Sequence, residues 1–165
     1  MHSRIFGIIE KQFYEDNIDQ YNWNLDIFEE QAPSFADYCN TNTDLDKDFK
    51  WLIEFFINDR HIDPAFLDID NKDLTIKFNP GFKEAYFRKN WETFIKNVIG
   101  YPDAFDQFCG NKQTDFAYRC KKLLSEEYGF YVSDEYGCYE TLDDFIRRVN
   151  YDETYKCFKS VDYHY

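Results

Sequence analysis

The cysteines of this sequence lack the spacings that mark disulfide frameworks and zinc sites. There are five in 165 residues, and no CxxC pair occurs. An odd number at wide spacings is atypical of a secreted disulfide scaffold, and the missing CxxC pairs disfavour a zinc ribbon. We therefore expect reduced and mostly buried, unreactive thiols in a cytoplasmic protein. They are Cys39, Cys109, Cys120, Cys138 and Cys157.

Long hydrophobic runs are also missing. The longest apolar run, residues 51–57, is interrupted by Glu54, whereas a membrane-spanning helix needs about 20 apolar residues. Residues 1–10 lack the hydrophobic core and small-residue cleavage site of a secretory signal. We therefore expect a soluble, cytoplasmic protein.

Positive charge is scarce and dispersed. The sequence has 19 Lys and Arg against 32 Asp and Glu, which gives a net charge of -13. Phosphate backbones and anionic membranes are bound by clustered basic residues. The longest basic groups here are pairs with acids nearby, so we expect neither direct nucleic-acid binding nor membrane binding. The pairs are Arg88-Lys89, Lys121-Lys122 and Arg147-Arg148.

Sequence motifs for nucleotide binding and nucleophilic catalysis are absent. The six glycines are scattered and form neither a P-loop nor a dinucleotide fingerprint. None of the five serines, Ser3, Ser34, Ser125, Ser133 and Ser160, lies in a Gly-x-Ser-x-Gly elbow. A Cys–His or carboxylate pair formed only in space leaves a small enzyme open as an alternative. We nevertheless expect no catalytic residue and no cofactor.

Metal-ligand spacings are not met either. His2 and His164 lie near the chain ends, and His61 has no second histidine at helical spacing. The acidic runs at residues 44–48 and 68–70 resemble the start of a calcium loop. Phe49 and Asp73 replace the glycine that such a loop requires. We interpret these acids as helix-capping and turn residues and expect no metal site.

Aromatic residues are abundant: 18 Phe, 14 Tyr and 3 Trp make up 21% of the chain. Because aromatic rings bury large areas, much of the core should consist of rings packed against rings. Some tyrosines must then lie at the surface, where tyrosine is enriched in binding patches. An AT-rich genome would produce the same excess, so both explanations stay open.

The spacing of apolar residues predicts helices over much of the chain. Apolar residues recur at helical intervals between Ile5 and Phe13, which predicts a helix over residues 3–14. A clearer helix begins at a cap formed by Thr43 or Asp44 and runs to about residue 58. The other predicted helices cover residues 25–31, 33–39, 79–98, 102–108, 114–128 and 142–149.

Alternating patterns predict the strands. They indicate a hairpin from residues 66–69 and 74–78, a second from residues 130–132 and 138–140, and a last strand within residues 154–163. We find no internal repeat or linker. The sequence thus predicts a single α+β domain over residues 1–165. It would have four or five helices, with short antiparallel strands or hairpins mainly in the C-terminal half. A boundary near residues 62–64 is a minor alternative.

One segment departs from the average composition. Residues 12–46 contain nine acids and no Lys or Arg, although 19 basic residues in 165 would place about four in a segment of that length. The acids are spaced among aromatic residues, unlike the dense charge runs of disordered tails. Spaced like charges repel one another and reduce stability, but they attract a basic partner and speed its association. We name residues 12–46 the base-free segment.

The base-free segment predicts a binding function. In the first interpretation its acids imitate phosphates, and the protein is a non-catalytic inhibitor that blocks a DNA- or RNA-handling enzyme. This is the strategy of the anti-restriction and anti-CRISPR proteins of phages and mobile elements. In the second it is an immunity protein that neutralises a basic nuclease toxin. A small cytoplasmic enzyme, or a housekeeping binding protein with an ordinary solvated acidic surface, is the remaining alternative.

The candidate contacts to a basic protein partner follow from the segment. The acids are expected to meet basic side chains, and three aromatic residues are candidate anchors. The acids are Glu15, Asp16, Asp19, Asp26, Glu29, Glu30, Asp37, Asp44 and Asp46, and the aromatic residues are Tyr14, Tyr21 and Trp23.

Overall fold

The protein combines helices with a seven-stranded sheet. A computed structural model describes residues 2–19, 36–99, 129–134 and 138–164. A π-helical turn, Phe55–Asp59, extends the helix Leu45–Glu54, and a 3-10 turn, Pro64–Phe66, precedes the strand Leu67–Asp70. The elements in chain order are β1 (His2–Glu10), α1 (Lys11–Asp16), β2 (Tyr38–Asn40), α2 (Leu45–Glu54), β3 (Leu67–Asp70), β4 (Thr75–Phe78), α3 (Phe82–Ile99), β5 (Tyr131–Ser133), β6 (Tyr139–Thr141), α4 (Leu142–Arg148) and β7 (Thr154–His164).

The two ends of the chain form the centre of the sheet. The strand order is β3-β4-β7-β1-β5-β6, and β2 also pairs with β7. β1 and β7 are antiparallel over their whole length, from His2 opposite His164 to Glu10 opposite Tyr155. On its other edge β7 pairs with β4 near one end and with β2 near the other. β1 and β5 are parallel, whereas the other pairs are antiparallel.

The predicted α+β class is confirmed, but the predicted placement of the strands is wrong. Strands occur along the whole chain rather than mainly in its C-terminal half, since β1 to β4 all precede residue 79. The helix predicted over residues 3–14 is a strand, β1, and a helix begins only at Lys11. β1 lies between β7 and β5 and is buried on both faces, so its apolar residues do not alternate with polar ones. Such a run mimics a helical pattern.

Several local predictions are confirmed. Asp44 caps α2 by accepting the Lys47 N–H at 3.1 Å. The helix predicted over residues 142–149 forms as α4, and Thr141 caps it by accepting the Asp144 N–H at 3.1 Å. Both hairpins and the last strand form as β3–β4, β5–β6 and β7. The helix expected to reach residue 39 is contradicted at its end, where β2 forms. The helices predicted over residues 25–31, 102–108 and 114–128 lie outside the described residues.

Aromatic rings fill much of the main core, as the composition predicts. This core lies between one face of the sheet and the helices α2, α3 and α4. Phe56 is central to it, with its ring 6.1 Å from that of Phe78, 5.4 Å from that of Phe82 and 6.1 Å from that of Tyr86. Edge-to-face contacts at such distances add to the stabilisation from burial.

A smaller apolar cluster covers the opposite face of the sheet. Ile5, Tyr131, Val161 and Tyr163 pack there from the three central strands. The Tyr163 hydroxyl donates to the Gly129 carbonyl at 2.5 Å. The sheet therefore has buried side chains on both faces.

A polar network ties α2 to the two central strands. Asp48 is 4% exposed and accepts from Arg4 Nε at 2.9 Å and from Ser160 Oγ at 2.8 Å. Arg4 also pairs with Asp162. The Thr43 hydroxyl lies 2.7 Å from that of Ser160. Because each of these charges has a partner, the network positions α2 on the sheet without leaving an unpaired charge buried.

Candidate functional site

Every described acid of the base-free segment is exposed to solvent. Three lie on or just after α1, one precedes β2, and two lie at the start of α2. No basic residue of the same segment is present to neutralise them. The six acids are Glu15, Asp16, Asp19, Asp37, Asp44 and Asp46.

Some of these acids have roles within the protein. Glu15 lies 3.6 Å from the ammonium of Lys11, and Asp37 lies 3.8 Å from Nδ1 of His164. Asp44 caps α2. Exposed ion pairs at such distances contribute little stability and open readily to a partner. The cap is different, since replacing Asp44 would destabilise the helix start by about 1 kcal/mol.

The acids are spread along the sheet rather than gathered at one point. Lys11, which pairs with Glu15, also binds Asp73 at 2.6 Å. Asp73 in turn binds Lys156 near the first end of β7 at 3.0 Å. Asp37 lies beside the imidazole of His164 at the other end of β7. At about 3.3 Å per strand residue, Lys156 and His164 lie about 25 Å apart along β7.

Asp73 connects α1 to β7 through ion pairs with Lys11 and Lys156. The hydrogen bonds from Lys11 and Lys156 hold the pKa of Asp73 below its usual value. Lys156 also donates to the Asp73 carbonyl. These contacts fix α1, which carries the first acids, against the β3–β4 turn and β7.

The predicted aromatic anchors are only partly described. Tyr14 is half-buried and stacks on Phe158 with ring centroids 5.8 Å apart. That packing leaves only part of Tyr14 available to a partner. Tyr21 and Trp23 lie outside the described residues, together with Asp26, Glu29 and Glu30.

One exposed aromatic residue of the segment was not among the predicted anchors. Tyr38 is 54% exposed and follows Asp37 at the start of β2. Among the described strands, β2 pairs with one edge of β7 only, and the Tyr38 side chain is not part of the main core. The sequence contained an indication that Tyr38 is a candidate anchor, since it lies in the base-free segment beside an acid. A sequence pattern does not, however, distinguish exposed aromatic rings from buried ones.

A cavity beside the end of β1 and α1 forms a second candidate site. Its volume is about 400 Å³, which suits a small molecule. β5 ends at Ser133, opposite Gly7, whereas β1 continues to Glu10. The described lining comes from the end of β1, α1, the β5–β6 hairpin, α4 and β7: Ile8, Ile9, Glu10, Phe13, Asp134, Cys138, Tyr139, Glu140, Phe145, Arg148 and Tyr155.

Charged groups of both signs line this cavity. Arg148 Nε donates to the two carboxylate oxygens of Glu140 at 2.8 and 3.0 Å. This bond raises the pKa of Arg148. Asp134 accepts the Cys138 N–H at 2.8 Å, which closes the hairpin loop. Sequence reasoning missed this site because it depends on pairing between β1 and β5, which are far apart in the chain.

The described cysteines differ in exposure. Cys157 is buried in the main core, and burial raises the pKa of its thiol to about 12, so it is unreactive at neutral pH. Cys39 is half-buried and Cys138 is exposed at the cavity. Cys109 and Cys120 lie outside the described residues.

Comparison with known proteins leaves the chain without relatives from which a function could be transferred. No protein family, curated protein or solved structure matches it. Within the described ranges, no group of three or more His, Cys, Asp or Glu side chains could hold a metal ion. The helices of the same ranges are all too short or too polar to cross a membrane.

Proposed function

We propose that this protein is a cytoplasmic, non-catalytic inhibitor that binds a basic nucleic-acid-handling protein through the acids of its base-free segment. The observation that carries the proposal is the exposure of all six described acids in a segment without a single basic residue. Such a surface attracts a groove lined with Lys and Arg and accelerates association with it.

The distribution of the acids favours imitation of a nucleic acid. Acidic positions near Lys156 and His164, about 25 Å apart along β7, would match the length of about seven base pairs of duplex. A compact acidic cluster would instead fit a single basic pocket. The extended arrangement supports contact with a groove that normally holds a phosphate backbone.

Capture from native lysate tests this proposal. The tagged chain is incubated at low and at moderate salt, and bound proteins are identified by mass spectrometry. We expect a basic nuclease, methyltransferase or CRISPR effector that is lost as salt rises. Recovery of a basic nuclease toxin would identify an immunity protein, the second interpretation of the same charge pattern. Only salt-insensitive partners, or none, would contradict an electrostatic inhibitor.

Charge reversal locates the binding surface. Glu15, Asp16, Asp19 and Asp46 are replaced together by Lys, while Asp44 is kept because it caps α2. The matched control reverses four exposed acids outside the segment, namely Glu54, Asp68, Glu92 and Asp152. We expect the first variant to lose the partner and the control to retain most binding, with unchanged circular dichroism for both. Equal retention by the two variants would contradict the assignment of the surface.

A further inference from the structure

A row of three ring side chains crosses β2, β7 and β1 at one end of the sheet. Tyr38 pairs with His164, and His164 pairs with His2. Directly paired residues place their side chains on the same face of a sheet, and the imidazoles of His2 and His164 do meet, with ring centroids 5.1 Å apart. More than half of Tyr38 is exposed. Its ring therefore lies at the protein surface, on the same face as the imidazole of His164.

Asp37 adds a carboxylate beside the same imidazole. Its side chain is 79% exposed, and its Oδ2 lies 3.8 Å from Nδ1 of His164, which is beyond hydrogen-bond length. The guanidinium on this end of β1, that of Arg4, is already paired with Asp48 and Asp162. The Asp37 N–H donates to the His164 carbonyl at 2.9 Å, which fixes the backbone of Asp37 to β7. The carboxylate is thus held in place and is accessible to a partner.

The ring and the carboxylate together match the chemistry of an arginine side chain. A guanidinium is a planar and weakly hydrated cation that stacks on an aromatic ring and pairs with a carboxylate through two donors. The ammonium of lysine is a strongly hydrated point charge, so it gains less from the ring. Because residues 12–46 contain no Lys or Arg, the base-free segment does not fill this position with a cation of its own.

We propose that Asp37 and Tyr38 form an arginine-binding hot spot of the acidic surface. An arginine of the basic partner stacks its guanidinium on the ring of Tyr38 and pairs with the carboxylate of Asp37. This inference rests on the proposed function, since it names the side chain by which the partner is recognised. It differs from charge attraction in one respect, a preference for arginine over lysine. Charge attraction alone gives equal affinities for two peptides of equal charge, whereas stacking on a ring does not.

Two peptides of equal charge test this preference on the full chain. The probes are glycine-spaced tetra-arginine and tetra-lysine peptides with blocked ends. Binding at low salt is followed by changes in the amide resonances of Tyr38 and His164 in nitrogen–proton correlation spectra. We expect the arginine peptide to bind about threefold to fivefold more tightly than the lysine peptide, because one exposed stacking contact is added. The resonances of Tyr38 and His164 should shift more with the arginine peptide.

Substitutions show which side chain selects arginine. Tyr38→Leu removes the aromatic ring and keeps an apolar side chain, so it should abolish the preference and leave the affinity for the lysine peptide unchanged. The matched control is Trp91→Leu, which removes a 60% exposed ring on α3, outside the base-free segment. It should keep the full preference. Asp37→Asn should weaken both peptides about twofold to threefold, because each loses one exposed ionic contact.

Equal affinity of the wild type for the two peptides would overturn the hot spot and leave the proposed inhibitor intact, because acids alone attract both peptides. A preference that survives Tyr38→Leu, or is lost equally in Trp91→Leu, would also overturn it. Conversely, a lysate without any salt-sensitive partner would contradict the proposed function, whichever peptide binds more tightly. The comparison of peptides on the wild type decides the question even if a variant fails to fold.

Discussion

Replacing Lys159 with methionine tests how strongly the interior of the sheet penalises a charge. Lys159 is 9% exposed on β7. Its stem lies over Gly7, where an added Cβ would be 2.5 Å from Lys159 Cγ. Burial lowers the pKa of Lys159 from 10.5 to about 7, although Asp134 acts in the opposite direction. The folded protein thus holds this side chain largely neutral above pH 7, whereas the unfolded chain protonates it up to about pH 10.5.

The sign of the pH dependence follows from this difference in proton binding. Between pH 7 and 10.5 the unfolded state binds more protons, so this lysine contributes a stability that rises with pH. The full shift in pKa would correspond to about 5 kcal/mol. Solvent near the ammonium group reduces our expectation to about 2 kcal/mol. Below pH 7 the contribution is constant, because both states are protonated.

Urea unfolding at several pH values measures the effect. We expect Lys159→Met to be more stable than the wild type at pH 6, with an advantage that shrinks by about 1 kcal/mol by pH 9.5. The variant Lys77→Met, from a half-buried site on β4, controls for the loss of one positive charge, and its pH trend is subtracted. An advantage that stays constant or grows with pH would refute the reasoning.

Two further substitutions test the packing of the sheet by the same urea assay. Gly7→Ala should destabilise the protein by about 1 to 3 kcal/mol, because the new Cβ would also lie 2.7 Å from the ring of Phe158; a change below about 0.5 kcal/mol would contradict this close approach. Asp48→Ala should cost about 2 to 3 kcal/mol, because Arg4 loses its 2.9 Å partner in a largely buried position. Asp48→Asn should cost less, and equal losses for the two variants would argue against a role for the hydrogen bonds.

The sequence predicted those elements whose patterns are set by local rules. α2 and α4 begin at Asp44 and Thr141, and Asp and Thr are residue types that proteins in general prefer at the N-cap of a helix. The β3–β4 hairpin follows from alternation around a turn. β1 was assigned wrongly because its two faces are both buried, so Ile5 and Phe6 enter different clusters. Its environment depends on β7 and β5, which are more than a hundred residues away in the sequence.

In the candidate sites, too, features set by single residues could be predicted from the sequence, whereas features set by long-range packing could not. Exposure of acids such as Glu15 and Asp46 is predictable, because charged side chains are almost never fully buried without a partner. Stacking of Tyr14 on Phe158 is not, since it depends on how α1 folds back onto β7. The cavity was unpredictable for a related reason. It exists because β1 extends past the last pair with β5 at Gly7, which is a property of strand register rather than of composition.

Competition with nucleic acid tests the central claim most directly. The partner captured from lysate is bound to a fluorescently labelled cognate duplex or single strand, and the acidic protein is added while the anisotropy is recorded. The proposed inhibitor should displace the nucleic acid completely, with a midpoint that rises steeply with salt. The variant with Glu15, Asp16, Asp19 and Asp46 changed to Lys should not displace it. A stable ternary complex, with the nucleic acid still bound, would contradict the proposal that these acids occupy the phosphate-binding groove.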